Sequence, residues 1–333
     1  MALPEAVRKG LSLPAICAPM SFVSGPELAR EACKAGIIGA FPRHNAGSED
    51  AFEAWLADIR RDLDEFEAEG GEPAPLAVNA TIMSDEDNKR FAQACRKARV
   101  DIVISAFGDP TEQIKRVHEW GAIAIHDVTN MRFAEKAIRA GADGLVAIGA
   151  GGGGHSGTIS HLAFIPRLRR MFDGIIVMAG AVSTGAAIRA AEILGADLAY
   201  LGTRFIASAE SLAKPGYKEL IASSGAADLI YTPNPTGVPA NWLRDSLRQF
   251  GLDPDNLPER VAPRGTDHYP AGVRSWRDFW SAGQGVELIE DVVPVAKICS
   301  RLRREYLAAC DVPASFAQAA RLAEEAFAAS ERD

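Results

Sequence analysis

The chain has 333 residues, 47% of them hydrophobic, 24% charged and 7% aromatic, enough apolar material for a sizeable core and too much for a disordered chain. Lys and Arg number 36 against 44 Asp and Glu, a formal net charge of −8, so no broad positive field exists for a nucleic-acid backbone. Cys17, Cys33, Cys95, Cys299 and Cys310 are scattered with no C-x-x-C pair, and neither a signal-like N-terminus nor a run of about 18 apolar residues is present. The expectation is a cytoplasmic protein with reduced thiols and with no membrane, metal or nucleic-acid partner.

Taken in chain order, short apolar runs begin at Ala15 (AICAPM), Ile37 (IIGAF), Leu76 (LAVNAT), Ile102 (IVISAFG), Ala122 (AIAIHDV), Gly144 (GLVAIGAG), Ile175 (IIVMAGA) and Leu198 (LAYLGTRFI). They are continuous rather than alternating, as parallel strands buried on both faces require. Helical patterns separate them. In the segment from Ser48 to Phe66 the residues Phe52, Trp55, Leu56, Ile59, Leu63 and Phe66 share one face behind Ser48 or Asp50 as N-cap, and in GDPTEQIKRVHEWG Asp109 is the cap, Pro110 the first helical position and Gly121 the stop. Two units, AEKAIRAGADGLVAIG from Ala134 and IRAAEILGADLAYLG from Ile188, repeat a helix, a Gly-Ala-Asp turn and a buried strand. Strands and helices in this alternation predict an α/β fold, a (β/α)8 TIM barrel rather than a doubly wound sheet.

The alternation stops after Phe205. From 214 to 273 the sequence turns to Pro, Asn, Asp and isolated Trp with no buried strand in evidence. This reads as an inserted, smaller, mainly helical lid or substrate domain, with 1–213 and 274–333 forming the barrel and closing helices expected from near Trp276. Trp242 and Tyr231 are its lid anchors or its packing residues.

The densest chemical signal is GAGGGGHSGTISH, Gly149 to His161, directly after the sixth run. Each glycine costs about 0.5–1 kcal/mol of extra chain entropy, so the run implies close backbone approach to something. It formally fits G-x-G-x-x-G, but the loop runs on through His155, Ser156 and Gly157 where a dinucleotide fold needs a helix. His155, set among these glycines, is the candidate for proton transfer or for holding a developing anion; the alternative is a histidine that ties the loop together. His44 and His126 sit at neighbouring strand ends, His118 and His268 read as surface residues, and His161 is open. The ends of the last two strands, AGAVSTG from Ala179 and LGTRF from Leu201, suit a phosphate site built from Gly180, Gly202 and hydroxyls of Ser183, Thr184 and Thr203, with Ser183 or Thr184 also suited to cap the next helix.

The ordered set APM at Ala18, VNA at Val78, AIHDVTN, GGGGHSG, AGAVSTG, LGTRF and WSAGQG at Trp280 resembles the nitronate monooxygenase family, formerly called 2-nitropropane dioxygenases, over nearly the whole chain. The resemblance implies an FMN-containing (β/α)8 barrel with an extra substrate-side domain that oxidises alkyl nitronates, or nitroalkanes, with O2. It implies Met20 against the flavin, Asn79 bonded to it, Gly180, Ala181, Gly202 and Thr203 at its phosphate, and His155 as the active-site histidine. Asp127, Gly154 and Gln284 complete the cofactor-side set. Two departures from many relatives, Asp127 for Lys and Gly151 for Glu, change charge near the flavin. A related Gly-Gly-His loop occurs in flavin-dependent enoyl-acyl-carrier-protein reductases, so an FMN enzyme reducing enoyl thioesters with NAD(P)H is the alternative. A flavin- or thioester-binding protein without turnover is a third reading. The partners implied are a small-molecule substrate and O2, with a homo-oligomer left open.

Overall fold

A computed structural model of the chain describes residues 3–81, 84–259 and 269–330; His268 lies outside them. All eight apolar runs are strands: β1 (Ala15–Cys17), β2 (Ile38–Pro42), β3 (Leu76–Thr81), β4 (Ile102–Ala106), β5 (Ile123–Val128), β6 (Gly144–Ile148), then, beyond the two-residue β7 (Gly154–His155), β8 (Ile175–Ala179) and β9 (Leu198–Leu201). Each pairs in parallel with the next, and β9 pairs with β1, so the sheet closes. Alternate residues divide the core. Ile16, Ala77, Ile104, Ile125, Val146 and Val177 fill the barrel interior, while Val78, Val103, Ala124, Leu145 and Ile176 face the helices. That double burial is why the runs carry no polar alternation.

Helix α1 (Glu5–Arg8) places Val7 in the interior cluster. The strands alternate with α2 (Pro26–Lys34), α3 (Glu49–Ala68), α4 (Asp85–Lys97), α5 (Thr111–His118), α6 (Met131–Arg139), α7 (His161–Arg169) and α8 (Gly185–Leu194). Ser48 caps α3 as read, its Oγ accepting from Ala51 N at 3.2 Å, whereas α5 begins one residue later than expected: Pro110 takes the cap position and Asp109, ahead of it, accepts from Thr111 N at 3.0 Å. The repeated turn has a purpose that composition alone did not reveal. Asp143 and Asp197 of that turn, and Asp101 in the equivalent position, each just before a strand, accept an amide at the start of a neighbouring strand, from Ala124, Ile176 and Leu76, each at 2.8 Å. These carboxylates pin sheet register at the bottom of the barrel, away from any chemistry.

Strand β2 lies tight against α2: a Cβ on Gly39 would sit 1.9 Å from the Ala29 carbonyl oxygen and 2.7 Å from Cys33 Sγ. Gly39→Ala is therefore expected to destabilise the fold by about 3 kcal/mol, since backbone cannot yield as a flexible side chain does; urea unfolding midpoints measure it, and an unchanged midpoint contradicts the packing.

After β9 the chain leaves the barrel through α9 (Thr203–Ile206) and α10 (Pro215–Ser223). The insertion departs from expectation in one respect: it holds an antiparallel pair, β10 (Leu229–Thr232) and β11 (Ala240–Leu243), followed by α11 (Arg244–Arg248). Strand β11 went unseen because it directly follows the proline-rich turn and polar Asn241 separates Ala240 from the fully buried Trp242 and Leu243. Nor does a closing helix begin at Trp276. Residues 276–289 instead pack with the insertion, Trp242 lying 4.3 Å from Trp276 and Trp280 stacking on Tyr217 at 4.9 Å. The eighth barrel helix is α12 (Val295–Cys310), followed by α13 (Ala317–Ser330). Among the described residues no helix is long and apolar enough to cross a membrane.

Candidate active site

The C-terminal ends of the barrel strands open into a cavity of about 820 Å³, within the range typical of small-molecule and cofactor sites. Its floor follows from strand alternation. Asn79, Asp127 and Tyr200 each stand two residues beyond an interior residue, Ala77, Ile125 and Leu198, so they form a polar top layer on an apolar barrel. Its walls are the glycine loop after β6 and the segments after β8 and β9, and its roof comes from Tyr217, Val238, Pro239 and Trp276. Among the described residues, no Lys or Arg lines it.

Met20, Asn79, Asp127, Gly154, His155, Gly180, Ala181, Gly202 and Thr203 all line this one cavity. Gln284 does not: it is exposed, its Oε1 lies 2.8 Å from where a Gly151 side chain would begin, and the neighbours Gly283 and Gly285 line the cavity in its place.

The glycine run is needed largely for contact with the chain itself. A Cβ on Gly153 would lie 2.9 Å from Gly283 N, and one on Gly157 2.7 Å from the Thr129 carbonyl oxygen. Asn241 Nδ2 donates to Gly152 O at 2.7 Å and Gly154 N to Ser281 Oγ at 2.6 Å. Tyr231 Oη donates to Ser156 O at 2.9 Å. Insertion and loop thus hold His155 between them.

His155 has its ring edge-on to Phe107 at 5.6 Å and to Trp276 at 5.0 Å. Its Nε2 lies 3.1 Å from Thr236 Oγ1, whose single proton goes to the Val238 carbonyl at 3.0 Å. With that proton on the carbonyl, the hydroxyl accepts from Nε2–H, as it does from Val238 N at 3.3 Å, the tautomer that leaves the lone pair on Nδ1. Burial lowers the His155 pKa to about 4, because an aromatic enclosure disfavours the cation. The imidazole is neutral at physiological pH, which leaves proton acceptance and removes the option of a resident imidazolium. His126 is similar, pushed down to about 4 by burial with Nδ1 at 2.7 Å from Ser105 Oγ.

At the end of β8, Gly180 has φ +125° and Ala181 φ +56°. A non-glycine residue there stores strain of order 1–3 kcal/mol, which tends to persist where function holds it. Thr184 is the N-cap of α8, accepting from Ala187 N at 3.2 Å, and Glu305 Oε2 accepts from Gly185 N at 2.7 Å. That helix end is therefore already served by the protein, and Ser183 rather than Thr184 lines the cavity. Gly202 differs from the other glycines. A Cβ there meets only Met20 Sδ at 3.4 Å and Ala18 Cβ at 3.7 Å, and φ is −100°. Neither packing nor backbone conformation demands glycine, so the space it leaves opens to the cavity. Beside it, Thr203 Oγ1 accepts from Gly283 N at 2.9 Å and retains its own proton to donate.

Sequence reasoning missed Phe107, Thr236, Trp276 and Tyr200. Phe107 and Trp276 have φ of +63° and +69°, a conformation no composition signal marks, and Tyr200 was legible only as the inward step of its strand. His161 is a structural residue, donating Nε2–H to Gly180 O at 2.9 Å and packing where a Gly149 side chain would be.

A family profile described as nitronate monooxygenase matches residues 8–304. A nitronate monooxygenase of Paraburkholderia phytofirmans is 26% identical over 89% of this chain and 93% of its own length. Two solved structures share the fold: a nitroalkane oxidase from Streptomyces ansochromogenes, with TM-score 0.74 and 24% identity over 90% of this chain and 98% of that one, and a mutant of FabK from Thermotoga maritima, with TM-score 0.71 and 25% identity over 90% of this chain and 95% of that one.

Proposed function

The chain belongs to the nitronate monooxygenase family, making it a flavin-dependent oxidoreductase, and from that premise we propose that it binds FMN and oxidises alkyl nitronates, and nitroalkanes by way of them, with molecular oxygen. The observation that carries the reading is a neutral imidazole with a free Nδ1 lone pair in a cavity that no Lys or Arg lines among the described residues.

The residues present fit the cofactor. The space at Gly202, the left-handed pair Gly180–Ala181 and the hydroxyls of Ser183 and Thr203 suit a phosphate held by backbone N–H groups and hydroxyls rather than by cations. Met20 would lie against the ring, with Gly154 leaving room beside it. Asn79, whose Nδ2 donates to Ile104 O at 3.1 Å, has its carbonyl oxygen to offer the ring, and Asp127 a carboxyl. When bound, FMN supplies the electron acceptor and the reaction with oxygen.

His155 accepts the α-proton of a nitroalkane at Nδ1. A preformed nitronate skips that step. Phe107 and Trp276 flank the imidazole and help keep it neutral, while Thr236 fixes its tautomer. The segment 214–273 serves as the substrate-side lid, since Tyr217, Val238 and Pro239 roof the cavity. Thr236→Val is expected to lower kcat on nitroalkanes roughly 2- to 10-fold, the worth of one orienting hydrogen bond, with flavin content unchanged; an unaltered kcat removes Thr236 from this role.

The deciding experiment is anaerobic mixing of the flavin-loaded protein with a nitronate and, separately, with NADH or NADPH. Bleaching of the flavin by the nitronate alone is expected. Bleaching by the nicotinamide alone establishes the enoyl-thioester reductase reading instead, and no bleaching by either leaves a binding protein.

A further inference from the structure

Among the described residues Asp127 is the one acid that lines the cavity, and none of them there is a Lys or Arg to balance its charge. It steps inward from β5 beyond Ile125 and faces the Tyr200 phenol from β9, Asn79 from β3 and the apolar Ile148 from β6. Cys17 on β1 belongs to the helix-facing side and neighbours Tyr200 rather than Asp127, its thiol held protonated by burial. His126 precedes Asp127 on the same strand and is neutral. Oδ1 of Asp127 is sealed from solvent and has no hydrogen-bond partner, and no Lys or Arg stands among the described residues of the walls. A carboxylate with one oxygen sealed from water, no hydrogen bond to that oxygen and no cation beside it is more costly than the neutral acid, which leaves only a weak acceptor unsatisfied. Burial accordingly raises the Asp127 pKa to about 7.

We propose that Asp127 remains a carboxylic acid beneath the bound cofactor and donates its proton as a hydrogen bond to an acceptor on the flavin ring, so that flavin affinity depends on that one proton. This rests on the reading that the cavity takes a flavin. The carboxylate can donate nothing and would set a second negative charge in a site that must also hold a phosphate. Binding is thus strong where Asp127 is protonated and weakens as pH rises through its pKa, by about tenfold per pH unit once the free protein is mostly ionised. His126 and His155, both near 4, are already neutral in that window and contribute no slope.

The test is a fluorescence titration of the apoprotein with riboflavin and with FMN from pH 5.5 to 9. Riboflavin has no phosphate, so its curve carries no phosphate ionisation. Kd is expected to be flat below about pH 6.5 and to rise steeply above 7.5 for both ligands, whereas Asp127→Asn, which donates without titrating, is expected to give a flat curve throughout. Calorimetry of the wild-type protein in buffers of different ionisation enthalpy needs no variant: at pH 8.5, binding is expected to take up close to one proton. A flat wild-type curve without proton uptake, or the same slope in Asp127→Asn, overturns the proposal while the flavin reading stands. Absence of flavin binding at every pH overturns both.

Discussion

His155→Asn is expected to lower the rate on nitroalkanes by about 10²- to 10⁴-fold, the usual contribution of a positioned general base, with circular dichroism and flavin content unchanged. The asparagine keeps a polar group near Thr236, but has no lone pair basic enough to take a proton from carbon. Oxidation of preformed nitronates is expected to suffer much less, because their proton has already gone. The pH dependence has a definite sign. The folded pKa is lowered to about 4, so the base is competent above that value and its activity is lost as pH falls through it, leaving the wild-type rate nearly level from pH 6 to 8. A nitroalkane rate that instead rises tenfold per unit up to an inflection near 7 identifies Asp127, with its raised pKa, as the base.

Gly202→Asp is expected to abolish flavin retention at the concentrations of a purified sample. The new Cβ meets only ordinary contacts with Met20 and Ala18, so the fold persists. The carboxylate, however, adds its charge to a wall with no Lys or Arg among the described residues. Like charges brought together in this way cost several kcal/mol, or about 10²- to 10³-fold in affinity. Gly202→Ala adds the methyl without the charge and is expected to fold normally and lose flavin only in part. Absorbance of the purified variants measures both. Full flavin retention in Gly202→Asp moves the phosphate site elsewhere.

The barrel was legible because its signal is local. A strand buried on both faces must be apolar at every position, a helix on such a sheet must show one apolar face, and both patterns recur along this chain with recognisable caps. The repeated Gly-Ala-Asp turn was legible as a repeat, though its carboxylates proved to be register pins for neighbouring strands. The insertion was legible only as a break in composition, because β10 and β11 owe their pairing to contacts with residues 276–289 and with the glycine loop.

By itself the sequence determined the closed alternation of strands and helices and the cluster of residues at the strand ends, since parallel barrels bring every strand's C-terminal end to one face whatever the loops contain. The ordered motifs also carried the family likeness. Tertiary structure alone decided how those residues behave. The charge state of His155 depends on Phe107 and Trp276, contributed by β4's loop and by a segment far along the chain, and its tautomer depends on Thr236 in the insertion. The raised pKa of Asp127 depends on burial and on an absence, that of any Lys or Arg among the described residues that line the cavity. Desolvation and electrostatics sum over neighbours in space, and a single sequence does not order its residues by distance.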